Sequence, residues 1–220
     1  MLKIRKKRIL IFGSEGSIGR DLVKYLSQTY LITKIDLFKN KKAKFNIDLT
    51  KKFKNNFNFE EKKFSCVIML SFFKTQPKQF KYCNPIEFKK KNKMILNNIL
   101  EIIKNIHCKK IIYFSSAAVY KNNSNSIQID ENFPVKPSNI YSKFKIYAEK
   151  KIKKTFINKK SQIIILRLFN IFNDRGNILI DTFKKQIKSK KKVIINGDGN
   201  QKRDFLHTNK ISDLIKKIEK

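Results

Sequence analysis

The sequence has few of the residues on which several classes of protein depend. Its 220 residues include no tryptophan, four prolines, six glycines and three cysteines. The cysteines are odd in number and lack the paired spacing of a metal site, so we expect a reduced, cytoplasmic chain with no metal centre. They are Cys66, Cys83 and Cys108. No apolar stretch approaches the ~20 residues that a transmembrane helix needs, and none follows the basic start as a signal peptide would. We therefore expect no membrane partner.

Acidic residues are also scarce. The chain has 17 Asp and Glu against 51 Lys and Arg, which gives a formal net charge of +34. A basic chain gains affinity for nucleic acid by releasing counterions from phosphates. However, only six of the basic residues are arginine, the residue best suited to phosphate and base contacts, and the lysines are scattered rather than gathered in a stripe. With abundant Asn, Ile and Phe, this is typical of AT-rich codon usage, and we expect no specific nucleic-acid partner.

Short apolar segments alternate with amphipathic ones along most of the chain. The pattern predicts strands at 8–12, 31–36, 45–49, 66–70, 110–115 and 163–169, with helices at about 17–27, 87–105 and 138–154. This alternation indicates parallel βαβ units, and hence an α/β fold with a doubly wound sheet. A helix at about 179–188, a strand at 193–196 and a helix from about 209 follow. We divide the chain into domains 1–169 and 170–220.

Three of the six glycines form one motif. Gly13, Gly16 and Gly19 follow the first strand and open the first helix, in the spacing G-x-x-G-x-x-G. The first glycine permits a tight turn, the second lets the backbone approach a pyrophosphate, and the third allows close packing of helix and strand. The start of the helix, Ser17 and Ile18, then faces the phosphates with free N–H groups. The motif therefore predicts a dinucleotide site.

A carboxylate follows at the position that selects the dinucleotide. Asp36 ends the next predicted strand, 20 residues after Gly16. There it can accept hydrogen bonds from the adenosine ribose, and it repels a 2′-phosphate. We therefore expect NAD rather than NADP, although the nearby Lys34 and Lys39 leave NADP open.

A second group of residues indicates acid–base chemistry. Tyr141 and Lys145 are four residues apart on one predicted helix, so they share a face. Tyrosine is a poor base at its ordinary pKa of about 10, but a nearby ammonium group favours the phenolate. Ser116 ends a predicted strand, where its hydroxyl can hydrogen-bond a reacting oxygen. We predict that Ser116, Tyr141 and Lys145 are catalytic.

These motifs together resemble the extended short-chain dehydrogenase/reductase family, in its NAD-dependent nucleotide-sugar epimerase/dehydratase branch, and in particular UDP-glucose 4-epimerase-like members. The resemblance rests on GSEGSIG at 13–19, IDL at 47–49, SSAAVY at 115–120, PSNIYSKFKIYAE at 137–149, RLFN at 167–170 and GDGNQKRDFLH at 197–207. It implies a Rossmann-type fold, an NAD cofactor, a nucleotide-sugar substrate, a role in polysaccharide biosynthesis, and a homodimer formed through two helices. It implies further cofactor contacts by Asp48, Leu49, Lys74, Asn92 and Phe169. It also implies that Asn170 and Arg203 hold the nucleotide diphosphate of the substrate.

The sequence departs from the family pattern in three places. The family has small residues at the end of the strand 66–70, whereas this chain has Phe72 and Phe73, which we expect to crowd NAD. The chain ends soon after the Arg-Asp-Phe motif, so we expect a truncated substrate-binding part. Ala117 and Ala118 stand where dehydratases have acidic residues. We therefore predict epimerisation through a transient keto-sugar. A nucleotide-sugar reductase or dehydrogenase, and a truncated non-catalytic relative, remain alternatives.

Overall fold

The computed structural model describes residues 6–36, 45–52, 62–73, 84–120, 128–174, 178–190, 192–195, 198–200 and 202–220. The strands are β1 (Arg8–Phe12), β2 (Leu31–Asp36), β3 (Phe45–Asn46), β4 (Lys63–Met69), β5 (His107–Ser116), β6 (Gln162–Leu168), β7 (Asn170–Phe172) and β8 (Phe205–His207). The helices are α1 (Ser17–Leu26), α2 (Pro85–Lys104), α3 (Ile140–Phe156), α4 (Ile178–Lys188) and α5 (Thr208–Glu219), with a 3₁₀ turn at Ala117–Val119.

Six strands form one parallel sheet in the order β3-β2-β1-β4-β5-β6. The chain proceeds from β1 to β2 and β3 on one side, then returns to add β4, β5 and β6 on the other. The crevice at this reversal, beyond the carboxyl ends of β1 and β4, is where such sheets bind ligands. The predicted doubly wound α/β fold is confirmed. Strands β7 and β8 form a separate parallel pair.

The core has two layers, one on each face of the sheet. Along β1, Leu10 and Phe12 point into the layer that includes α2 and α3, while Ile9 and Ile11 point into the layer that includes α1 and α5. This alternation follows from the two-residue period of a strand. Each fully buried aliphatic or aromatic side chain contributes roughly 1.5–3 kcal/mol. The apolar run 9–12 of β1 therefore favours a place in the middle of the sheet, where both faces of the strand are buried.

Local signals fix the start of α3, which carries two of the predicted catalytic residues. The Asn139 side chain accepts a hydrogen bond from the Ser142 N–H at 2.9 Å, and the Ser142 Oγ accepts one from the Asn139 N–H at 3.2 Å. This reciprocal capping satisfies backbone groups that a helix otherwise leaves unpaired. Because the helix starts at a defined residue, Tyr141 takes a fixed place in its first turn.

The C-terminal part of the chain differs from the prediction in three elements: β7 and β8 were not predicted, and one predicted strand is missing from the described residues. The strand expected at 193–196 is wrong over the described residues 192–195, which form no regular secondary structure. Val193, Ile194 and Ile195 are 38%, 71% and 55% exposed. No described strand pairs with this segment, and a strand forms only where its N–H and C=O groups find partners.

The last described helix, α5, packs beside α1, the first helix of the chain. Ile211 and Ile215 of α5 lie in the same buried layer as Leu22 of α1.

The predicted domain boundary falls between two strands. Strand β6 ends at Leu168 and β7 begins at Asn170. The division into functional domains at residue 169 stays a prediction. Within the described residues, no helix combines the length and apolar character needed to span a bilayer.

Candidate functional site

The glycine turn after β1 lies in close contact with two other segments. Gly13 has φ +84°, and a Cβ atom there would lie 2.7 Å from the backbone nitrogen of Ser71, just beyond β4. A Cβ at Gly19 would lie 2.1 Å from the carbonyl oxygen of Gly13. Glycine is required at both positions, because any side chain would push α1 or the end of β4 away. The result is a tightly packed glycine turn at the crevice of the sheet, which we call the glycine cradle; that it holds a pyrophosphate stays a prediction.

Asp36 lies against this cradle. It is the last residue of β2 and is buried, and its Oδ2 accepts a hydrogen bond from the Glu15 N–H at 2.8 Å. The backbone of the cradle is fixed in the same place, since the Gly13 N–H donates to the Ile35 carbonyl at 2.9 Å. The structure therefore brings the predicted ribose-binding carboxylate to the predicted phosphate-binding turn.

The segment after β3 holds Asp48 and Leu49. Asp48 accepts hydrogen bonds from the backbone and hydroxyl groups of Thr50. Burial acts to raise the pKa of Asp48, but these bonds and the nearby Lys51 together lower it. The buried Asn98 side chain of α2 donates to the Leu49 carbonyl at 2.8 Å. This loop is thereby tied to the helix beside it.

The predicted catalytic residues meet at the carboxyl end of β5. Ser116 ends the strand, and its Oγ accepts a hydrogen bond from the Ala118 N–H at 3.2 Å. The Ser116 hydroxyl group is also close enough to Tyr141 on α3 to act to lower the pKa of that phenol. The Lys145 ammonium group is buried, lies 5.7 Å from the centre of the Tyr141 ring, and donates to the Phe114 carbonyl at 2.7 Å. The three predicted residues therefore form one cluster at the edge of the sheet where the glycine cradle also lies.

The protonation state of Tyr141 is governed by its surroundings. Burial raises the pKa of Tyr141 above its ordinary value, and the Ser116 hydroxyl group opposes this only in part. From the sequence, Lys145 together with the positively charged nicotinamide of NAD is expected to lower this pKa. In the structure the loss of solvent dominates, because an anion is costly away from water. The surroundings of Tyr141 in the structure therefore favour the neutral phenol.

The Asn92 side chain is buried and forms hydrogen bonds with backbone groups of the protein. Its Oδ1 accepts from the Phe73 N–H at 2.9 Å, and its Nδ2 donates to the carbonyl groups of Phe73 and Phe88 at 3.2 and 3.0 Å. These bonds hold the segment after β4 in place beside α2. Lys74, the other residue expected to contact the cofactor from this segment, lies outside the described residues.

Sequence reasoning missed a buried ion pair beneath the catalytic cluster. Glu149 on α3 accepts from the Arg167 Nη2 at 2.8 Å and Nε at 3.2 Å, and also from the Ser115 hydroxyl group. The hydrogen bond to Glu149 is the main cause that raises the pKa of Arg167. Tyr141, Lys145 and Glu149 follow one another at intervals of four residues, which places them on one face of α3. That spacing is the signal that identifies Glu149 in the sequence.

A second missed network anchors the phosphate-binding helix. Asn173, just after β7, donates to the Ser17 Oγ at 3.0 Å and to the Asp21 Oδ2 at 2.6 Å. Thr208, the first residue of α5, donates to the same Asp21 oxygen at 3.1 Å. Ser17 is one of the residues predicted at the cofactor site. Its position therefore depends on residues more than 150 positions later in the chain.

The predicted substrate residues come together at β7 and β8. Asn170 donates from its side chain and its backbone to the carbonyl of Asp204, at 2.9 and 3.3 Å. Arg203, the residue before Asp204, is exposed, and Phe169 is 39% exposed.

His207 caps α5, with its ring between Asp174 and Asn209. The described part of the chain holds no group of three or more His, Cys, Asp or Glu residues suited to a metal ion.

The sequence matches a known family over nearly its whole length. Residues 9–218 match the NAD dependent epimerase/dehydratase family. The chain is 30% identical to an ADP-L-glycero-D-manno-heptose-6-epimerase from Brachyspira hyodysenteriae, over 94% of the chain and 69% of that protein. It is 29% identical to a dTDP-D-glucose 4,6-dehydratase from Dictyostelium discoideum, over 95% of the chain. The chain spans 54% of the length of the Dictyostelium protein.

Solved structures share the fold. The UDP-glucose 4-epimerase of Thermus thermophilus in complex with NAD superposes with a TM-score of 0.77 at 18% identity, over 95% of this chain and 73% of that one. The UDP-N-acetylglucosamine 4-epimerase of Methanobrevibacter ruminantium, in complex with UDP-N-acetylmuramic acid, gives 0.75 at 23% identity, over 96% and 72%. At these identities, the likeness shows the fold.

Proposed function

The chain belongs to the NAD-dependent epimerase/dehydratase family, and from this premise we propose that it epimerises a nucleotide-sugar through a transient keto-sugar. The observation that carries the proposal is the cluster of Ser116, Tyr141 and Lys145 at the carboxyl end of β5. A hydroxyl pair and an ammonium group at this edge of the sheet suit proton transfer to and from a sugar hydroxyl.

The residues at one end of the crevice fit a dinucleotide. The close packing at Gly13 and Gly19 brings the backbone of the turn, the end of β4 and the start of α1 together, and Asp36 lies beside them. We propose that Gly13, Gly16, Ser17, Ile18 and Gly19 hold the phosphates and that Asp36 holds the adenosine ribose. NAD would supply a reversible hydride acceptor. Asp48, Leu49, Lys74, Asn92 and Phe169 are the remaining proposed contributors.

In this proposal each catalytic group has a separate task. Tyr141 takes the proton from the sugar hydroxyl as the carbon is oxidised, and returns it when the keto-sugar is reduced on its other face. Ser116 hydrogen-bonds the reacting oxygen, and Lys145 supplies positive charge beside the phenol. Since burial raises the pKa of Tyr141, its deprotonation requires added positive charge or solvent near the hydroxyl group.

Substrate binding and the choice of reaction follow from neighbouring residues. We propose that Asn170 and Arg203 hold the diphosphate while the sugar turns. Ser116 caps the 3₁₀ turn at Ala117–Val119, and the alanines there supply no acid or base for removing water. This favours epimerisation over dehydration. Reduction or oxidation of a nucleotide-sugar is the second candidate, because it needs the same three catalytic residues.

The test is turnover of defined nucleotide-sugars. The purified chain with NAD is incubated separately with UDP-glucose, UDP-N-acetylglucosamine and an ADP-heptose, and the products are separated by chromatography. We expect an epimer to form with no accumulation of NADH. Tyr141→Phe should reduce the rate by about 10²-fold or more. Tyr147→Phe, on the exposed side of the same helix, is the matched control and should retain it.

The other outcomes separate the alternatives. NADH that accumulates in proportion to product identifies a dehydrogenase. Bound NAD with no turnover of any of the three substrates supports a non-catalytic relative.

The same proposal includes a cytoplasmic location, a part in polysaccharide biosynthesis, the absence of a specific nucleic-acid partner, and a homodimer formed through α2 and α3. Sedimentation of the purified chain tests the last of these.

A further inference from the structure

Phe72 lies in contact with both predicted catalytic residues of α3. Its ring packs edge-on against Tyr141, with 5.2 Å between ring centroids and an interplanar angle of 88°. The Lys145 ammonium group lies 4.8 Å from the centre of the same ring. A single side chain therefore covers the phenol and the ammonium group from the side on which β4 ends.

The Lys145 ammonium group lies among three aromatic rings. Besides Phe72, the rings of Tyr113 and Tyr141 are centred 4.9 and 5.7 Å from it. Cations are attracted to the faces of aromatic rings, and the attraction is greater where water is excluded. Phe72 thus stabilises a closed arrangement in which Lys145 is held by aromatic rings and by the Phe114 carbonyl.

The backbone that carries Phe72 is held on both sides. Its neighbour Ser71 contacts the glycine turn so closely that a Cβ at Gly13 would lie 2.7 Å from the Ser71 nitrogen. On the other side, Asn92 bonds both backbone groups of Phe73. The ring itself also packs against Phe88 and Phe144, with centroids 5.6 and 5.9 Å away. Because the backbone is held, the ring can leave Tyr141 and Lys145 only by a rotation of its side chain that breaks these contacts.

The resemblance to the family implies that Lys145 holds the nicotinamide ribose of NAD beside Tyr141. We propose that Phe72 lowers the affinity for the dinucleotide, because its ring must rotate away from Tyr141 and Lys145 before that ribose can reach them. The inference rests on the proposed function in one respect, since it takes NAD as the ligand. In the proposed function the glycine cradle and Asp36 hold the other end of the dinucleotide. Phe72 therefore lowers affinity for NAD but not for ADP, which has no nicotinamide ribose.

The expected change in NAD affinity depends on the fraction of time that the Phe72 ring is rotated away from Tyr141 and Lys145. If the ring is rotated away about one-tenth of the time, the apparent affinity for NAD is about tenfold weaker than that of the open site. Phe72→Ala removes the ring, so it should tighten NAD binding by about tenfold on the same basis.

The experiment measures binding of NAD and of ADP to the full chain by calorimetry. The variants are Phe72→Ala, Phe72→Leu and, as matched control, Phe73→Ala. The sequence predicts that both phenylalanines crowd NAD, but the Phe73 ring lies 4.3 Å from the Lys91 ammonium group, so the control separates the two side chains. We expect Phe72→Ala to tighten NAD binding, Phe72→Leu to do so less, and neither to change ADP binding. Phe73→Ala should leave both affinities within about twofold of wild type, which is a small free-energy difference. Thermal melts establish that each variant is folded.

Each result has a definite meaning. Weaker or unchanged NAD binding in a folded Phe72→Ala or Phe72→Leu variant, with ADP binding intact, overturns the role of Phe72 and leaves the proposed function standing. A gain that Phe73→Ala shares equally also overturns it. If neither wild type nor any variant binds NAD or ADP, the proposed function itself fails.

Discussion

Glu149 holds Arg167 through both of its carboxylate oxygens, one turn along α3 from Lys145. The Glu149 side chain is 4% exposed and that of Arg167 is 22% exposed. Because Arg167 belongs to β6 and the Ser115 hydroxyl group from β5 donates to the same carboxylate, this one side chain connects the catalytic helix to two strands. The pair thereby fixes α3 relative to Ser116.

Neutralising Glu149 should destabilise the fold. Glu149→Gln leaves the Arg167 charge without its ionic partner in a poorly solvated place, so we expect a loss of about 3 kcal/mol in the free energy of unfolding. Urea denaturation measures it. The control is Glu87→Gln, which removes an exposed ion pair with Lys91 and should cost at most about 0.5 kcal/mol. Equal losses in the two variants would contradict the structural role of Glu149.

A methyl group at Gly19 should disrupt the cradle. In Gly19→Ala the new Cβ meets the Gly13 carbonyl at 2.1 Å, whereas in Gly16→Ala it lies 3.4 Å from the same atom. We expect Gly19→Ala to lose about 1–3 kcal/mol or more of stability, because a backbone segment must move. Gly16→Ala should keep nearly all of it. Thermal and urea unfolding check both variants, and a fully stable Gly19→Ala would show that α1 does not pack as described.

The ionisation of Tyr141 should occur above the ordinary tyrosine range. Its pKa is raised by burial, so the tyrosinate absorbance that distinguishes wild type from Tyr141→Phe should appear only above about pH 10. The neutral phenol is favoured in the folded state. Relative to Tyr141→Phe, wild type should therefore lose stability as pH rises through the unfolded value of about 10 toward the folded pKa.

Ser116→Ala offers a check on the same titration. The Ser116 hydroxyl group opposes the effect of burial, so its removal should raise the pKa of Tyr141 further. A difference spectrum that appears at lower pH in Ser116→Ala than in wild type would contradict this effect of Ser116.

Removing the Asn173 side chain should loosen the start of α1. Asn173→Ala deletes the donor to Ser17 and Asp21 in a buried place, and we expect a loss of about 1–3 kcal/mol. Asn200→Ala, which removes an exposed bond to Asp198 at 3.1 Å, should change stability by less than about 0.5 kcal/mol. Hydrogen exchange of the α1 amides provides a second readout. Protection equal to wild type in Asn173→Ala would exclude this anchoring role.

The sequence predicted features that depend on neighbours along the chain. The strand at 8–12, the glycine turn and the common face of Tyr141 and Lys145 all follow from short spacings, and the structure has each of them. The partner of Glu149 lies 18 residues away on another strand, so only the folded chain reveals the pair. The contact of Phe72 with Lys145 depends on where β4 ends relative to α3, which no local pattern encodes. The expected strand at 193–196 failed for the same reason, because strands need partners that composition does not supply.

The packing of α5 beside α1 has a consequence for synthesis on the ribosome. Leu22 and Leu26 of the first helix share a buried layer with Ile211 and Ile215 of the last described one. Translation at about 5–20 residues per second separates the emergence of these segments by roughly ten to forty seconds. During that interval one face of the nascent sheet is open to other proteins, and its apolar strands are available for chaperone binding. Completion of this layer must wait until α5 has left the exit tunnel, so the α1 side of the sheet cannot be fully packed before residues 208–219 have been synthesised.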